Sequence, residues 1–375
     1  MKLVIFGLTV SSSWSNGHAT LWRGLISALV AKGYRVVFFE QDLPFYSPRR
    51  DLTELPQGGE LVLYSSWQEV LPRARRELAG ADVGLVTSYC PDGVAASRLV
   101  LDSNVPVRCF YDLDTPHTLE RVQRGERVEY LLPNGLGAFD LVLSYTGGRS
   151  LTALREVLGA RHVAPLYGSV DPGMYYPVPP KQVYWSDFSY LGPHEEALER
   201  FFLEPARRLP RRRFVLGGER YPTDFAWPPN LFLVQHLPPT EHPAFYSSSL
   251  LTLNVTRGPM AELGYCPSGR LFESAACGTP VLSDSWEGLG TFFRIGEEIL
   301  VARSTEEALE AISLPAEQLM RIGRAARERA LTEHTSDHRA EELVRLLEAA
   351  HSPYTRPPRR PEPPSPQAGA FSART

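Results

Sequence analysis

Short apolar runs alternate with stretches of helical spacing along most of the chain. The runs at 2–7, 35–40, 60–64, 83–87, 107–111, 141–145 and 161–166 are apolar at most positions. That pattern predicts strands of a parallel sheet, covered on both faces. Helical spacing at 19–32, closed by Gly33, and at 67–78 and 150–158 predicts helices between them. The rhythm breaks at 167–184, which reads YGSVDPGMYYPVPPKQVY and holds four prolines, the signature of a linker. It then restarts, with strands expected at 188–191, 213–216, 231–235, 250–254 and 280–283. Helices are expected at 195–207, 270–277, 304–312, 316–333 and 336–351. Residues 352–375 hold seven prolines and little that is apolar, which predicts a disordered tail.

This pattern gives an organisation: a first Rossmann-like domain at 1–170, a linker at 171–184 and a second Rossmann-like domain at 185–335. A final helix at 336–351 is expected to pack back toward the first domain. Ligands bind outside the carboxyl ends of parallel strands, so two such domains predict a ligand cleft between them.

Composition narrows the function classes. A formal net charge of -4 in 375 residues gives no global attraction to nucleic acid or anionic lipid. The four cysteines, Cys90, Cys109, Cys266 and Cys277, have no metal-ribbon or redox-pair spacing, and free thiols suit a reducing cytoplasm. The opening MKLVIFGLTVSSSW reads as a buried first strand rather than a signal peptide. No run approaches the ~18 apolar residues of a membrane span, so membrane contact is expected to be peripheral at most. Arg207, Arg208, Arg211, Arg212 and Arg213 form a basic run that reads as a solvated face.

The first loop, from Gly7 through Ser12, Asn16 and Gly17 to His18, is small and polar and lacks a dinucleotide fingerprint. His18 falls at a helix start beside a cleft-facing strand end. There it serves either as a general base toward an acceptor or as a helix cap. Asp112 and Asp114 extend the strand at 107–111 and share one face. They either orient His18 and bind sugar hydroxyls, or form an Asx turn before Pro116. Ser12, Asn16, Gly17 and Asp112 are the acceptor-side candidates; His18, Asp114 and Arg270 are the catalytic ones.

The most informative stretch is GYCPSGRLFESAACGTPVLSD, at 264–284. Ser268 is a plausible N-cap of a helix that Gly278 ends, and free N–H groups at such a tip hold phosphate. Gly269 allows close approach, and Arg270 adds a bidentate cation. Glu273 follows at i+3 on the same face and can accept both ribose hydroxyls, unless Arg270 and Glu273 are only a surface pair. By position, Gly192, Asn254 and Arg257 stand near the diphosphate, and His236 and Leu237 near the base.

The order SxRLFExAACGTPVLSD resembles the GT-B glycosyltransferases with a CgeB-like, spore-maturation domain. So do GLxxSSSWxNGHAT, YDLDTP and Leu253–Arg257, while Gly168–Pro172 is similar to the interdomain segment of retaining GT-B enzymes. The resemblance covers about 1–350 and implies an α/β fold of GT-B type, with two Rossmann-like domains facing a central cleft. It implies a metal-independent glycosyltransferase without a cofactor, whose partners are a nucleotide-sugar donor and a glycan, lipid or small-molecule acceptor. It matches Glu273 to the ribose-binding glutamate, but places Tyr265 where retaining enzymes often carry a second glutamate. Two rivals stay open: a catalytically silent nucleotide- or sugar-binding module, and a nucleotide-sugar epimerase.

Overall fold

The computed structural model describes residues 1–14, 16–218, 221 and 227–351. The proline-rich tail expected to be disordered lies outside them. Among the described residues, thirteen strands form two parallel sheets. The first contains β1 (Lys2–Gly7), β2 (Arg35–Gln41), β3 (Gly59–Tyr64), β4 (Val83–Thr87), β5 (Val107–Asp112), β6 (Leu141–Ser144) and β7 (Val163–Pro165). Its order is β3-β2-β1-β4-β5-β6-β7. The second contains β8 (Phe188–Leu191), β9 (Phe214–Gly218), β10 (Leu231–Gln235), β11 (Thr252–Asn254), β12 (Val281–Asp284) and β13 (Leu300–Ala302), in the order β10-β9-β8-β11-β12-β13. Both sheets are doubly wound, and strand order reverses between β1 and β4 and again between β8 and β11. These are the switch points at which open α/β sheets bind ligands.

The central strands of each sheet are buried on both faces, as their near-continuous apolar runs require, while the edge strand β10 leaves Phe232 and Leu233 exposed. Leu3, Ile5, Leu85 and Leu143 face one layer of helices, and Val4, Phe6, Val86 and Val142 the other. In the second sheet Phe188, Tyr190, Phe214 and Leu216 pack on Phe202 and Leu253, while Val215 and Val281 pack on the face of Leu271, Phe272 and Ala275.

The segment 167–184 carries turns and one isolated bridge, Val170 to Thr335, but no helix or strand. The last helix, Ser336–His351, lies on the first lobe: Leu343 and Leu347 enter the cluster of Trp22, Leu25 and Leu29. Gly24 permits this approach, because a Cβ there would meet Ser336 Oγ at 2.4 Å. A Lys32–Glu341 ion pair of 2.8 Å closes the outer edge.

The stretch 195–207 is not the continuous helix its spacing predicts. A π-turn, Glu199–Leu203, leads into a short helix, Glu204–Arg208. Pro205 supplies the reason: it lacks an N–H and its ring crowds the carbonyl four residues back, so the turn before it widens. The helices Gly93–Asp102, Thr115–Gln123 and Gly258–Leu263 and the strand β13 arise where the apolar pattern predicts no element. The basic run is a solvated face, with Arg207 paired to Glu199, Arg208 to Glu306 and Arg212 to Asp187.

Candidate active site

A cleft of about 640 Å³ opens between the lobes, walled by the loops at the carboxyl ends of both sheets. The second-lobe wall is built around the helix Gly269–Ala276. Pro267 and an extended Ser268 (φ -66, ψ 144) halt the preceding chain, and Ser268 caps the helix by accepting from Arg270 N–H. Leu271, Phe272 and Ala275 bury the opposite face, so the helix is pinned with its amino end toward the cleft. Such an end concentrates free N–H groups and the positive end of the helix dipole.

Arg270 is held rigidly at this tip. Its Nε donates to Ser268 Oγ at 3.1 Å, and its Nη1 to Tyr190 Oη and the Leu191 carbonyl, both at 3.0 Å. Its Nη2 has no partner among the described residues, which leaves part of a pre-oriented fork for a ligand in the cleft. Gly192 makes this possible. A Cβ at Gly192 would lie 2.0 Å from Arg270 Nη1, so only glycine lets the guanidinium reach the end of β8. Gly192→Ala is therefore expected to displace Arg270, weaken binding of an anionic ligand in the cleft about tenfold and lower the Tm, because the same Cβ would lie 2.7 Å from Tyr190 Oη. Calorimetric titration with a panel of nucleoside diphosphates beside a melting curve checks this, and unchanged affinity would show that Arg270 does not need the gap.

Glu273 lies one turn further on the same helix and lines the cleft. Burial pushes its carboxyl up to about 7, against the pull of a hydrogen bond from Tyr175 and the charge of Arg270. Tyr175 comes from the interlobe segment, and its hydroxyl lies 3.3 Å from His242 Nδ1. Glu195 also lines the cleft; burial raises its carboxyl above the usual range, offset in part by Arg270 and Arg257.

Across the cleft, Asn16 caps the first helix, Gly17–Ala31, by accepting from His18 N–H at 3.1 Å. The loop before it is fixed by Glu40 at the end of β2. That buried carboxylate accepts from Val10 N–H at 2.8 Å, Ser11 N–H at 3.0 Å and Thr9 Oγ1 at 2.7 Å. His18 is thereby held at the cleft with its imidazole neutral. Burial lowers its pKa to about 4, with Asp114 pulling it up and Arg257 pushing it down. Tyr89, at a left-handed φ of 62, stands 5.9 Å from the His18 ring, centroid to centroid, and donates to Asp114 Oδ2 at 3.0 Å. A bulky residue in that backbone region is costly and is a mark of functional sites.

The cleft brings together most of the residues singled out in the sequence: Asn16, Gly17, His18, Asp114, Gly192, His236, Leu237, Arg257, Ser268, Gly269, Arg270 and Glu273. Three others sit behind its walls. Ser12 is fully buried and donates to the Arg49 carbonyl at 2.9 Å. Asn254 donates to Ser283 Oγ at 3.1 Å within the second sheet. Asp112 is fully buried, accepting from Asp114 N–H and Thr118 Oγ1 at 3.1 Å, with desolvation raising its pKa to about 7. These contacts make Asp112 the acceptor of an Asx-type turn, the plainer of the two readings its spacing allows. Arg257 faces the first lobe, with Nη2 3.1 Å from Asp114 Oδ2. Tyr265 is not among the cleft-lining residues; it adopts a left-handed φ of 47 and packs its ring on Gly148 and Gly288.

Trp14, Tyr89, Glu195 and His242 line the cleft without having been legible as site residues. The Trp14 ring lies 3.7 Å from that of His236, centroid to centroid, across the lobes. For Tyr89 and Trp14 the available signal was position alone, immediately after β4 and in the loop after β1.

The fold and this cleft together define the GT-B type of glycosyltransferase architecture. A family model described as glycosyl transferase-like matches residues 195–345, which contain the helix of Arg270 and Glu273. No curated protein sequence matches the chain significantly. Solved structures do. A sucrose-phosphate synthase from Thermosynechococcus elongatus is similar with a TM-score of 0.68 at 14% identity, over 93% of this chain and 99% of that one. HepE from Anabaena, in complex with UDP-glucose, is similar with a TM-score of 0.62 at 11% identity, over 93% of this chain and 100% of that one. An alpha-glucosyltransferase in complex with UDP-glucose and DNA is similar with a TM-score of 0.67 at 14% identity, over 93% and 99%. Identities this low establish the fold and leave chemistry to the site.

Proposed function

We propose that the protein is a metal-independent glycosyltransferase of the CgeB-like subgroup, moving a sugar from a nucleoside diphosphate to an acceptor hydroxyl. The observation that carries this reading is Arg270, braced by Ser268, Tyr190 and Leu191 at a helix tip, with part of its fork open to the cleft. Breaking the bond between sugar and diphosphate leaves charge on the β-phosphate. Arg270 and the helix N–H groups meet that charge from fixed positions, so no metal is needed for it. Glu273, about 5 Å along the helix from its tip, is spaced to take the ribose hydroxyls. His18, neutral near pH 7, takes the proton of the acceptor hydroxyl as the new bond forms. The four buried free thiols fit a cytoplasmic setting.

HepE and the alpha-glucosyltransferase hold UDP-glucose, which makes UDP the first donor to test. A thermal-shift screen of UDP, GDP, ADP and dTDP should raise the melting point with one base above the others. A ligand at a hundredfold excess over its Kd stabilises the fold by about 2.7 kcal/mol. No shift with any of the four would remove the reading. Tyr265, turned out of the cleft where retaining enzymes often have an acid, favours a second reading: a nucleotide-binding module without turnover. Binding of the nucleotide with no consumption of any nucleotide sugar, with or without acceptors, would select it.

A further inference from the structure

Among the described residues, two contacts between the lobes place a first-lobe group against a second-lobe residue proposed for the donor. Arg257, assigned to the diphosphate, meets a carboxylate: its Nη2 lies 3.1 Å from Asp114 Oδ2. His236, assigned to the base, meets an aromatic plane: the Trp14 ring, 3.7 Å away and tilted by 35°. An anion on the cation and a flat ring on the base loop are the two kinds of group a nucleotide would bring. We infer that Asp114 and Trp14 are internal stand-ins for the donor, and that a nucleoside diphosphate binds by displacing them from Arg257 and His236.

The local structure supports a displaceable pair rather than a permanent brace. Asp114 is buried, yet its Oδ1 has no partner among the described residues, so Arg257 engages only half of the carboxylate. The Arg257 side chain is 48% exposed, and its other contact is the weak acceptor Met260 Sδ at 3.2 Å. Its Nε and Nη1 have no partner among the described residues and are available to phosphate oxygens. Asp114, once released, keeps the hydrogen bond from Tyr89 and stays beside His18. Donor binding thus moves Arg257 away from Asp114 and leaves His18 with Asp114 as its dominant charged neighbour. A protein that must break its own contacts binds its ligand more weakly than the ligand contacts alone would give.

This inference rests on the proposed donor site, and the test separates the two. UDP affinity is measured by calorimetry for the wild type, Asp114→Asn, Trp14→Ala, Arg257→Ala and the double variant Asp114→Asn/Arg257→Ala. Removing the competing charge with Asp114→Asn is expected to tighten UDP about two- to fivefold, the scale of a partly exposed ion pair. Trp14→Ala is expected to tighten UDP about twofold. Arg257→Ala should weaken UDP, and Asp114→Asn should bring no gain in that background. If wild type binds UDP but Asp114→Asn binds it equally or more weakly, the stand-in role is wrong and the donor site survives. If no variant binds UDP, GDP, ADP or dTDP, the donor site itself is wrong. Should Asp114→Asn fail to fold, Trp14→Ala decides alone, and unchanged affinity there overturns the inference.

Discussion

Arg270→Ala is expected to lower sugar-transfer turnover by about 10²–10³, the loss found when one fixed donor to a developing anion is removed. The loss should appear in kcat more than in KM, because charge on the leaving diphosphate grows as the bond to the sugar breaks. Arg270→Lys should recover little. An ammonium cannot reproduce the fork that spans Ser268 Oγ, Tyr190 Oη and the Leu191 carbonyl while keeping donors for the ligand. The control is the melting temperature, since the substitution also removes donors from a buried hydroxyl and a carbonyl. Steady-state kinetics of both variants check this, and near-wild-type kcat in Arg270→Ala would place the leaving group elsewhere.

His18→Ala is expected to lower kcat by about 10²–10⁴ while leaving UDP affinity within about twofold of wild type. The two readouts separate an acceptor-side base from a donor contact. The pH dependence follows from burial. His18 ionises at about 4 in the folded protein, below its ordinary value near 6.5, so the neutral form that accepts a proton persists down to that point. Glu273, which ionises at about 7, is expected to impose a break of its own on kcat/KM of the free enzyme, so the His18 limb is read in Glu273→Gln, where kcat/KM should stay level as pH falls through 6.5 and decline only near 4. The same depressed pKa means that folding disfavours the charged imidazole, so His18 weakens the fold as pH falls from 6.5 toward 4 and is neutral in effect above. A kcat/KM profile of Glu273→Gln that still breaks near 6.5 would show that the base is a different or more exposed group.

The layered fold was legible because the central strands of both sheets are buried on two faces, and such strands announce themselves as apolar runs. The bounds of β1, β4, β8 and β10 and of the helices Ala316–Glu333 and Ser336–His351 coincide with the apolar and helical patterns in the sequence. The helix Gly269–Ala276 was legible for a different reason: Pro-Ser-Gly before it and Gly278 after it are local punctuation that needs no tertiary knowledge. What the sequence hides is long-range. The gap at Gly192 has meaning only beside Arg270, 78 residues away in the chain and a hydrogen bond away from Leu191 in space. The Arg257–Asp114 pair, the Trp14–His236 stack and the Tyr89–Asp114 hydrogen bond join separate elements across the cleft or within its wall. Asp112 and Asp114 illustrate the limit most clearly. Their spacing makes them equivalent, yet the first turns inward to Thr118 and the second lines the cleft.

A structure of the protein determined with UDP bound tests the central claim most directly. The account predicts the diphosphate at the amino end of the helix Gly269–Ala276, within hydrogen-bonding distance of the Arg270 guanidinium, and the ribose hydroxyls on Glu273. A nucleotide lodged elsewhere, or one whose phosphates leave Arg270 without contact, would contradict it.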